Sequence, residues 1–524
     1  MGNSFISFLV RVREFVCPIH RHELAKFLPL AFILFLICFN YSTLKTLKDS
    51  MVITTSGAEA IPFIKLWFML PMAVLFTWFY TFLSNKFSQE NVFYILVTGF
   101  LAFFALFAYV LHPMRESLQP VESAAWLQSV FPNAKWLVGL YKNWIFSAFY
   151  VISELWGSIV MNVLFWGFAN EVTKVGESRR FYSVFSIGSN LAAIISGMFV
   201  GSFLAIDSKA FNLLSMSQRE LMWEETLHMI MSVVIVCGFA VIALFYWLNK
   251  NVFTSDSYND VHTAYKPRKK KERLSLRESF KILSRSKYLL CIAILVVAYN
   301  LVINLVEVVW KDQLRALHPD KNQYMSYYAK VTVAMGIIST STAVVMAKII
   351  GRFGWTTTAM ITPVLLVTTS VGFFTFMFFQ DGASDYILAL TGYSPLAIAV
   401  FFGAAQNCVS KAAKYSVFDA TKEMAFVPLT HEERIKGKAS IDGVGSRLGK
   451  SGGSLIHSGL LMMFSTLTLC APYIAGILMV VICLWIYAVT VLGKKYNEMV
   501  GTQIQEEPIV DAPQQPLEPV ASST

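Results

Sequence analysis

The chain has 524 residues, of which 56% are hydrophobic and only 15% are charged, and its mean hydropathy is +0.56. Soluble domains carry about a quarter charged residues, so this composition excludes a soluble globular protein. The net charge of +10 could indicate a nucleic-acid-binding protein, but basic loops on one side of a membrane explain it better. We therefore expect a polytopic membrane protein that binds lipid bilayer and no nucleic acid.

Apolar runs long enough to cross a bilayer, about 20 residues each, recur along the whole chain. About twelve spans are predicted: 27–44, 61–83, 92–112, 138–168, 181–206, 226–249, 288–310, 326–350, 356–379, 386–415, 440–466 and 468–493. Lys and Arg gather in alternate connections, so the positive-inside rule predicts that both termini are cytoplasmic. We expect a multi-pass protein of the cell (inner) membrane.

The two halves of the chain resemble each other weakly. Gly188-Ser189-Asn190-Leu191 is similar to Gly445-Ser446-Arg447-Leu448, at nearly the offset that relates Lys48 to Glu307. Two parallel six-span halves predict an all-α, major-facilitator-like fold with a site at the membrane midplane. The predicted organisation is a cytoplasmic N-terminal segment (1–26), an N-terminal half (27–250), a basic cytoplasmic linker (251–287), a C-terminal half (288–493) and a disordered cytoplasmic tail (494–524).

Charged residues interrupt four of the apolar runs: Lys48, Glu154, Glu307 and Lys450. They could pair internally as part of the packing, but apolar residues of similar volume often stabilise a protein as well as a buried ion pair does. Ionisable residues within a membrane usually mark a substrate or ion pathway, so we interpret the four as functional. Lys65 and Lys142 lie nearer the ends of apolar runs, and we predict that they snorkel to the interface.

Lys450 lies in the segment Gly449-Lys450-Ser451, which superficially resembles a phosphate-binding loop. A Walker A motif would need glycine at position 444, which is Val, and a strand before it. The surrounding glycines are instead expected to let helices approach closely. Arg447 lies one helical turn before Lys450, and the resulting positive face predicts an anionic substrate.

The chain shows no recognisable catalytic or metal-binding site in its sequence. It contains no HExxH zinc motif, its seven cysteines form no CxxC pair, and the Gly-x-Ser-x-Gly pattern at 449–453 lies in an apolar run rather than at a strand-to-helix elbow. We therefore predict a monomeric transporter without a cofactor or metal. Two other classes remain open: a receptor with a transporter fold, which would bind ligand without flux, and a membrane enzyme, which would change its substrate chemically.

Several segments of the chain resemble one known family, the nucleotide transporters. These segments are Phe39-Asn40-Tyr41 with 44–49, Ile61-Pro62-Phe63-Ile64-Lys65, 153–158, 164–170, 304–308, Phe418-Asp419, 421–425, 437–442 and 449–453. The family comprises the ATP/ADP translocases of obligate intracellular bacteria and plastids together with their relatives. The resemblance extends from about Pro18 to about Lys495.

The resemblance implies transport of nucleotides without hydrolysis, favouring counter-exchange of ATP and ADP as in energy parasites. The family's critical charges correspond to Lys48, Glu154, Glu307 and Lys450. On this basis Lys48, Lys450, Arg447 and Lys45 are predicted to bind phosphate, and Glu154 and Glu307 to serve gating or coupling. The exchangers usually carry arginine where this chain has Lys45, and lysine lacks the bidentate grip of arginine on phosphate. Proton-coupled net import of ATP, GTP, UTP or CTP is therefore the alternative.

Overall fold

A computed structural model describes residues 19–173, 175–204, 214–253, 286–380, 382, 384–441 and 445–506. Most of the predicted N-terminal segment, nearly all of the basic linker and the end of the tail lie outside these residues. The described part of the chain is almost wholly helical and contains no strand.

Helices are numbered here in chain order. They are α1 Leu24–Ser56, α2 Ala60–Lys86, α3 Gln89–Leu111, α4 Val121–Val130, α5 Lys135–Lys142, α6 Trp144–Val172, α7 Val175–Phe203, α8 Met216–Asn251, α9 Lys287–Leu317, α10 321–353, α11 355–378, α12 Ser384–Thr391, α13 Pro395–Ala425, α14 His431–Ser440, α15 Ser446–Phe464 and α16 Leu467–Glu506. Among the described helices, ten are long and apolar enough to cross a membrane. The predicted span 326–350 is helical as well, in α10, and α15 occupies 446–464 of the predicted span 440–466.

The boundary between α10 and α11 is a single glycine. Gly354 has a φ of 75°, in the left-handed region that strains residues with a β-carbon, and it breaks an otherwise continuous helical segment.

Residues 494–506, the first part of the predicted tail, are helical. Helix α16 continues through them to Glu506, well past the end of the predicted span. The first proline beyond the span is Pro508, so nothing in this stretch prevents the helix from continuing.

The two halves touch most closely through α7 and α10. A β-carbon on Gly197 of α7 would lie 2.7 Å from the carbonyl oxygen of Ala329, and one on Gly336 of α10 would lie 2.9 Å from that of Asn190. Only glycine allows these backbones to come so near. Helix α1 also packs against α9 and α10, and α2 packs against α15.

The glycines around Lys450 have the role that the sequence predicts. A β-carbon on Gly449 would lie 2.7 Å from the β-carbon of Asn300, and one on Gly453 would lie 2.8 Å from that of Asn304. Helix α15 therefore lies directly against the middle of α9. This contact sets the depth of Lys450 in the bundle.

Three spans contain π-helical stretches close to charged residues. These are Ile64–Met69 in α2, Trp156–Phe165 in α6 and Lys414–Phe418 in α13. Lys65 lies within the first, and Glu154 lies two residues before the second. A π-helical turn rotates the residues that follow it, and such turns are frequent at functional sites.

Candidate functional site

Lys48 of α1 lies at the centre of the N-terminal half and is fully buried. Its Nζ atom is 3.0 Å from Oδ1 of Asp49 and 3.1 Å from Oε2 of Glu154, and it lies 3.6 Å above the ring of Tyr150. A buried ammonium group needs such partners, because burial without them is costly. Helix α6 provides Glu154 and Tyr150, so α1 and α6 build this part of the site together.

Glu307 of α9 is surrounded by lysines from three helices. Its carboxylate lies 2.9 Å from Nζ of Lys311, 3.8 Å from Nζ of Lys65 and 4.0 Å from Nζ of Lys45. Lys65 also donates a hydrogen bond to Oδ1 of Asn304, at 3.2 Å. The prediction that Lys65 snorkels to the interface is wrong, since its ammonium group reaches across to the opposite half.

A further ion pair connects the two clusters. Nζ of Lys311 lies 2.8 Å from Oδ2 of Asp49, and the hydroxyl of Tyr328 donates to the same oxygen at 3.0 Å. Sequence reasoning missed Lys311 and Tyr328 and gave Asp49 no role. One signal was available: Lys311 follows Glu307 by four residues and so lies on the same helical face. It fell just beyond the predicted span, which was placed at 288–310.

Exposure to solvent decreases steadily along this column of charges. The side chains of Lys45 and Lys65 are 33% and 24% exposed, that of Glu307 is 15% exposed, and those of Lys311 and Asp49 are 1% and 0% exposed. On α1, Asp49 is nearer than Lys45 to the helix end at Ser56, and on α9, Lys311 is nearer than Glu307 to the helix end at Leu317. The space between the halves is therefore accessible to solvent from the opposite end and closed at the Asp49–Lys311 pair.

Additional cations line the solvent-accessible gap between the two halves, the wet space. Lys450 is exposed and lies within electrostatic reach of Glu154 and Lys414. Lys411 of α13 lies within reach of Lys45 and Lys414. Among the described residues, no carboxylate lies within ion-pair distance of Lys411 or Lys450. Sequence reasoning missed Lys411 because its span reads as an ordinary apolar helix.

The predicted phosphate-binding residue Arg447 lies apart from the ion pairs around Lys48 and Glu307. Its side chain is exposed one turn before Lys450 on α15, and among the described residues it forms no ion pair.

The arrangement has more positive than negative charge. Among the described residues named above, with Lys414 and Arg447 left aside, three carboxylates face six ammonium groups: Lys45, Lys48, Lys65, Lys311, Lys411 and Lys450. All three carboxylates are already paired with lysines. Such a site is suited to a polyanion that offers several oxygen acceptors, because charge-assisted hydrogen bonds to lysine are strong.

Solved structures support the fold assignment. A bacterial homologue of the iron transporter ferroportin in an inward-facing state has a TM-score of 0.53 at 12% identity, covering 92% of this chain and 99% of that chain. A bacterial metal transporter has a TM-score of 0.52 at 12% identity, covering 90% and 97%. The predicted all-α, major-facilitator-like fold is confirmed.

Sequence comparisons identify the family. ADP,ATP carrier protein 1 of Chlamydia pneumoniae is 41% identical over 501 residues, covering 95% of this chain and 96% of that protein. ADP,ATP carrier protein 1 of Rickettsia bellii is 40% identical over 498 residues, covering 94% and 98%. The family model described as TLC ATP/ADP transporter matches residues 4–496. This chain belongs to the TLC ATP/ADP transporter family, and it is a carrier rather than an enzyme.

Proposed function

We propose that this chain exchanges ATP for ADP across the cell membrane by alternating access, with both termini in the cytoplasm. The observation that carries the proposal is the wet, lysine-lined space between the halves, in which Lys411 and Lys450 have no carboxylate partner among the described residues. A triphosphate bears up to four negative charges and many acceptor oxygens. It is the kind of substrate that such a space would attract and neutralise.

Phosphate binding is assigned to the accessible cations first. Lys45, Lys411 and Lys450 face the wet space, and Arg447 is exposed one turn before Lys450 on α15. Lys48 lies deeper, where a phosphate can reach it only by competing with Glu154. The terminal phosphates would therefore penetrate furthest, and the base would remain nearer the entrance.

Glu154 and Glu307 act as counter-ions of the empty carrier. Each already holds lysine ammonium groups, so the ligand-free site does not contain a fully uncompensated positive cluster. An incoming phosphate displaces these carboxylates, and its departure returns the lysines to them. The empty carrier is stable in its present state and reorients poorly, which favours exchange over one-way flux.

Proton-coupled net import is the second candidate, and one observation favours it. The side chain of Glu154 is 31% exposed, so a proton from the wet space can reach it, unlike the buried Asp49. Protonation would release Lys48 without any exchange substrate. Lysine at position 45, where the exchangers usually have arginine, is consistent with this reading.

Transport assays in proteoliposomes distinguish these functions. We expect uptake of labelled ATP to require ADP or ATP inside the vesicles and to continue without a proton gradient. Uptake into empty vesicles driven only by a proton gradient would establish the second candidate, and GTP, CTP and UTP in parallel would define base preference. Nucleotide binding without flux in either direction would indicate a receptor and overturn both.

A further inference from the structure

One buried ion pair links the two halves directly. Asp49 of the N-terminal half and Lys311 of the C-terminal half are 2.8 Å apart and fully buried. Tyr328, also of the C-terminal half, donates its hydroxyl to the same carboxylate oxygen at 3.0 Å. A single carboxylate on α1 thus holds both α9 and α10.

The pair lies towards the closed side of the molecule. Asp49 precedes the end of α1 at Ser56 by seven residues, and Lys311 precedes the end of α9 at Leu317 by six. At about 1.5 Å per residue, both side chains lie roughly 10 Å from the ends of their helices. Towards the same side, α7 and α10 touch at Gly197. Separation of the halves on this side would have to break the Asp49–Lys311 pair.

Asp49 is also connected to the substrate site by its neighbour in sequence. Lys48 contacts Oδ1 of Asp49 at 3.0 Å, while Lys311 contacts Oδ2. We propose that Asp49 and Lys311 latch the closed side of the carrier, and that phosphate opens the latch by drawing Lys48 away from Asp49. This inference rests on the proposed function, because it assigns phosphate as the competitor for Lys48.

The physical basis is the cost of a buried charge. Asp49 is tolerated in the dry interior because two ammonium groups and a hydroxyl neutralise it, and removing a partner from a buried ion pair is strongly unfavourable. When phosphate takes Lys48, the closed state loses part of this compensation, and a state in which Asp49 meets water becomes relatively more stable. Binding on one side is thereby coupled to opening on the other. Without phosphate, the latch keeps the empty carrier closed.

The test uses a variant in which both latch charges are removed together. Either single substitution would leave a buried charge with fewer partners and could prevent folding. The double variant Asp49→Asn/Lys311→Met leaves neither charge behind and keeps similar side-chain volumes. Tyr328→Phe removes only one hydrogen bond from the latch and serves as an independent, milder variant.

Opening can be measured as a distance between spin labels. Cysteines replace Ser117 and Asp385, two exposed residues on the latched side of opposite halves, in the full chain from which the seven native cysteines have been removed. The matched control is Arg115→Gln/Glu224→Gln, which removes an ion pair of 2.9 Å on the same side but within one half.

In the protein with an intact latch, we expect one short distance between the spin labels without nucleotide and a longer distance when ATP is added. The double variant should populate the longer distance without nucleotide, with at least about a tenfold rise in the open fraction. Tyr328→Phe should give a smaller rise, and the control should give none. An unchanged distance in the double variant would overturn the latch. If the double variant opens but ATP neither binds nor moves the unsubstituted protein, the latch remains and phosphate is excluded as its trigger.

Discussion

Lys48 and Glu307 belong to different halves of the carrier, and two other side chains connect them. Lys48 binds Asp49 at 3.0 Å, Asp49 binds Lys311 at 2.8 Å, and Lys311 binds Glu307 at 2.9 Å. The chain of charges crosses from α1 to α9 and joins the wet lysine-lined space to the closed side of the carrier. Perturbing either end should therefore affect both substrate binding and the movement of the halves.

Lys450→Gln should weaken nucleotide binding without affecting folding. Lys450 is exposed and has no ion-pair partner among the described residues, so its removal leaves no buried charge behind. A charge-assisted hydrogen bond is worth about 1.5–3 kcal/mol, which corresponds to an increase in KM of about ten- to a hundredfold. Uptake kinetics and thermal stability in detergent would be measured together. Lys142→Gln, an exposed lysine of α5, is the control and should alter neither.

Lys411→Gln should also raise KM, by about tenfold for the loss of one charge-assisted hydrogen bond. Lys411 lies in the wet space near Lys45 and has no carboxylate partner among the described residues. Competition by unlabelled ATP, ADP and AMP would show which phosphates it meets, since the effect should be smaller for AMP. Equal KM values for variant and parent with all three nucleotides would remove Lys411 from the site.

Lys48→Met should destabilise the protein, by about 3–5 kcal/mol, because it leaves Asp49 and Glu154 with fewer partners in the interior. Adding Glu154→Gln should recover part of the stability but none of the transport. Thermal unfolding in detergent gives the first comparison, and exchange in proteoliposomes gives the second. Full transport by the double variant would show that Lys48 serves packing rather than phosphate.

Glu154→Gln should tighten nucleotide binding while slowing exchange. Its carboxylate competes with phosphate for Lys48, and an ion pair of partial exposure is worth about 1 kcal/mol, so Kd should fall about fivefold. Equilibrium binding to purified protein checks this change. A higher Kd in the variant would mean that Glu154 contacts the nucleotide itself.

Gly197→Val should keep α7 and α10 apart and so prevent the closed side from closing. A β-carbon there would meet the Ala329 backbone at 2.7 Å, so α7 and α10 cannot keep their present contact. We expect the label distance on that side to lengthen and exchange to fall at least about tenfold. Gly201→Ala is the matched control, since its β-carbon would find its nearest neighbour at 3.9 Å. The same distance in both variants would argue against closure at this contact.

Glu59→Gln should change the pH dependence of stability. Glu59 lies in the turn between α1 and α2, and burial raises the pKa of its carboxyl group despite the nearby Arg315. An acid whose pKa is raised by folding makes the protein less stable as pH increases from its unfolded pKa through its folded pKa. The variant should therefore gain stability relative to the parent at pH 8 but not at pH 4. Melting temperatures across this range, with Glu116→Gln as an exposed control, provide the measurement.

Much of the architecture was predictable from the sequence because the bilayer limits the solutions. Long apolar runs must be helices, since only helices satisfy their own backbone in lipid, and the repeat between halves indicates the overall fold. The cost of a charge in the membrane likewise singled out Lys48, Glu154, Glu307 and Lys450 before any contact was known. These conclusions depend on local properties that a linear pattern contains.

Which charges meet is decided only by the tertiary structure. Lys65 appeared peripheral along α2, but in the folded protein its ammonium group lies 3.8 Å from the carboxylate of Glu307 on α9. Lys311 and Asp49 pair because helices more than 200 residues apart in sequence pack side by side, and no local pattern records that contact. Apolar composition and charge cost determined the spans and their unusual residues, whereas the pairing of those residues depends on helix packing between the halves.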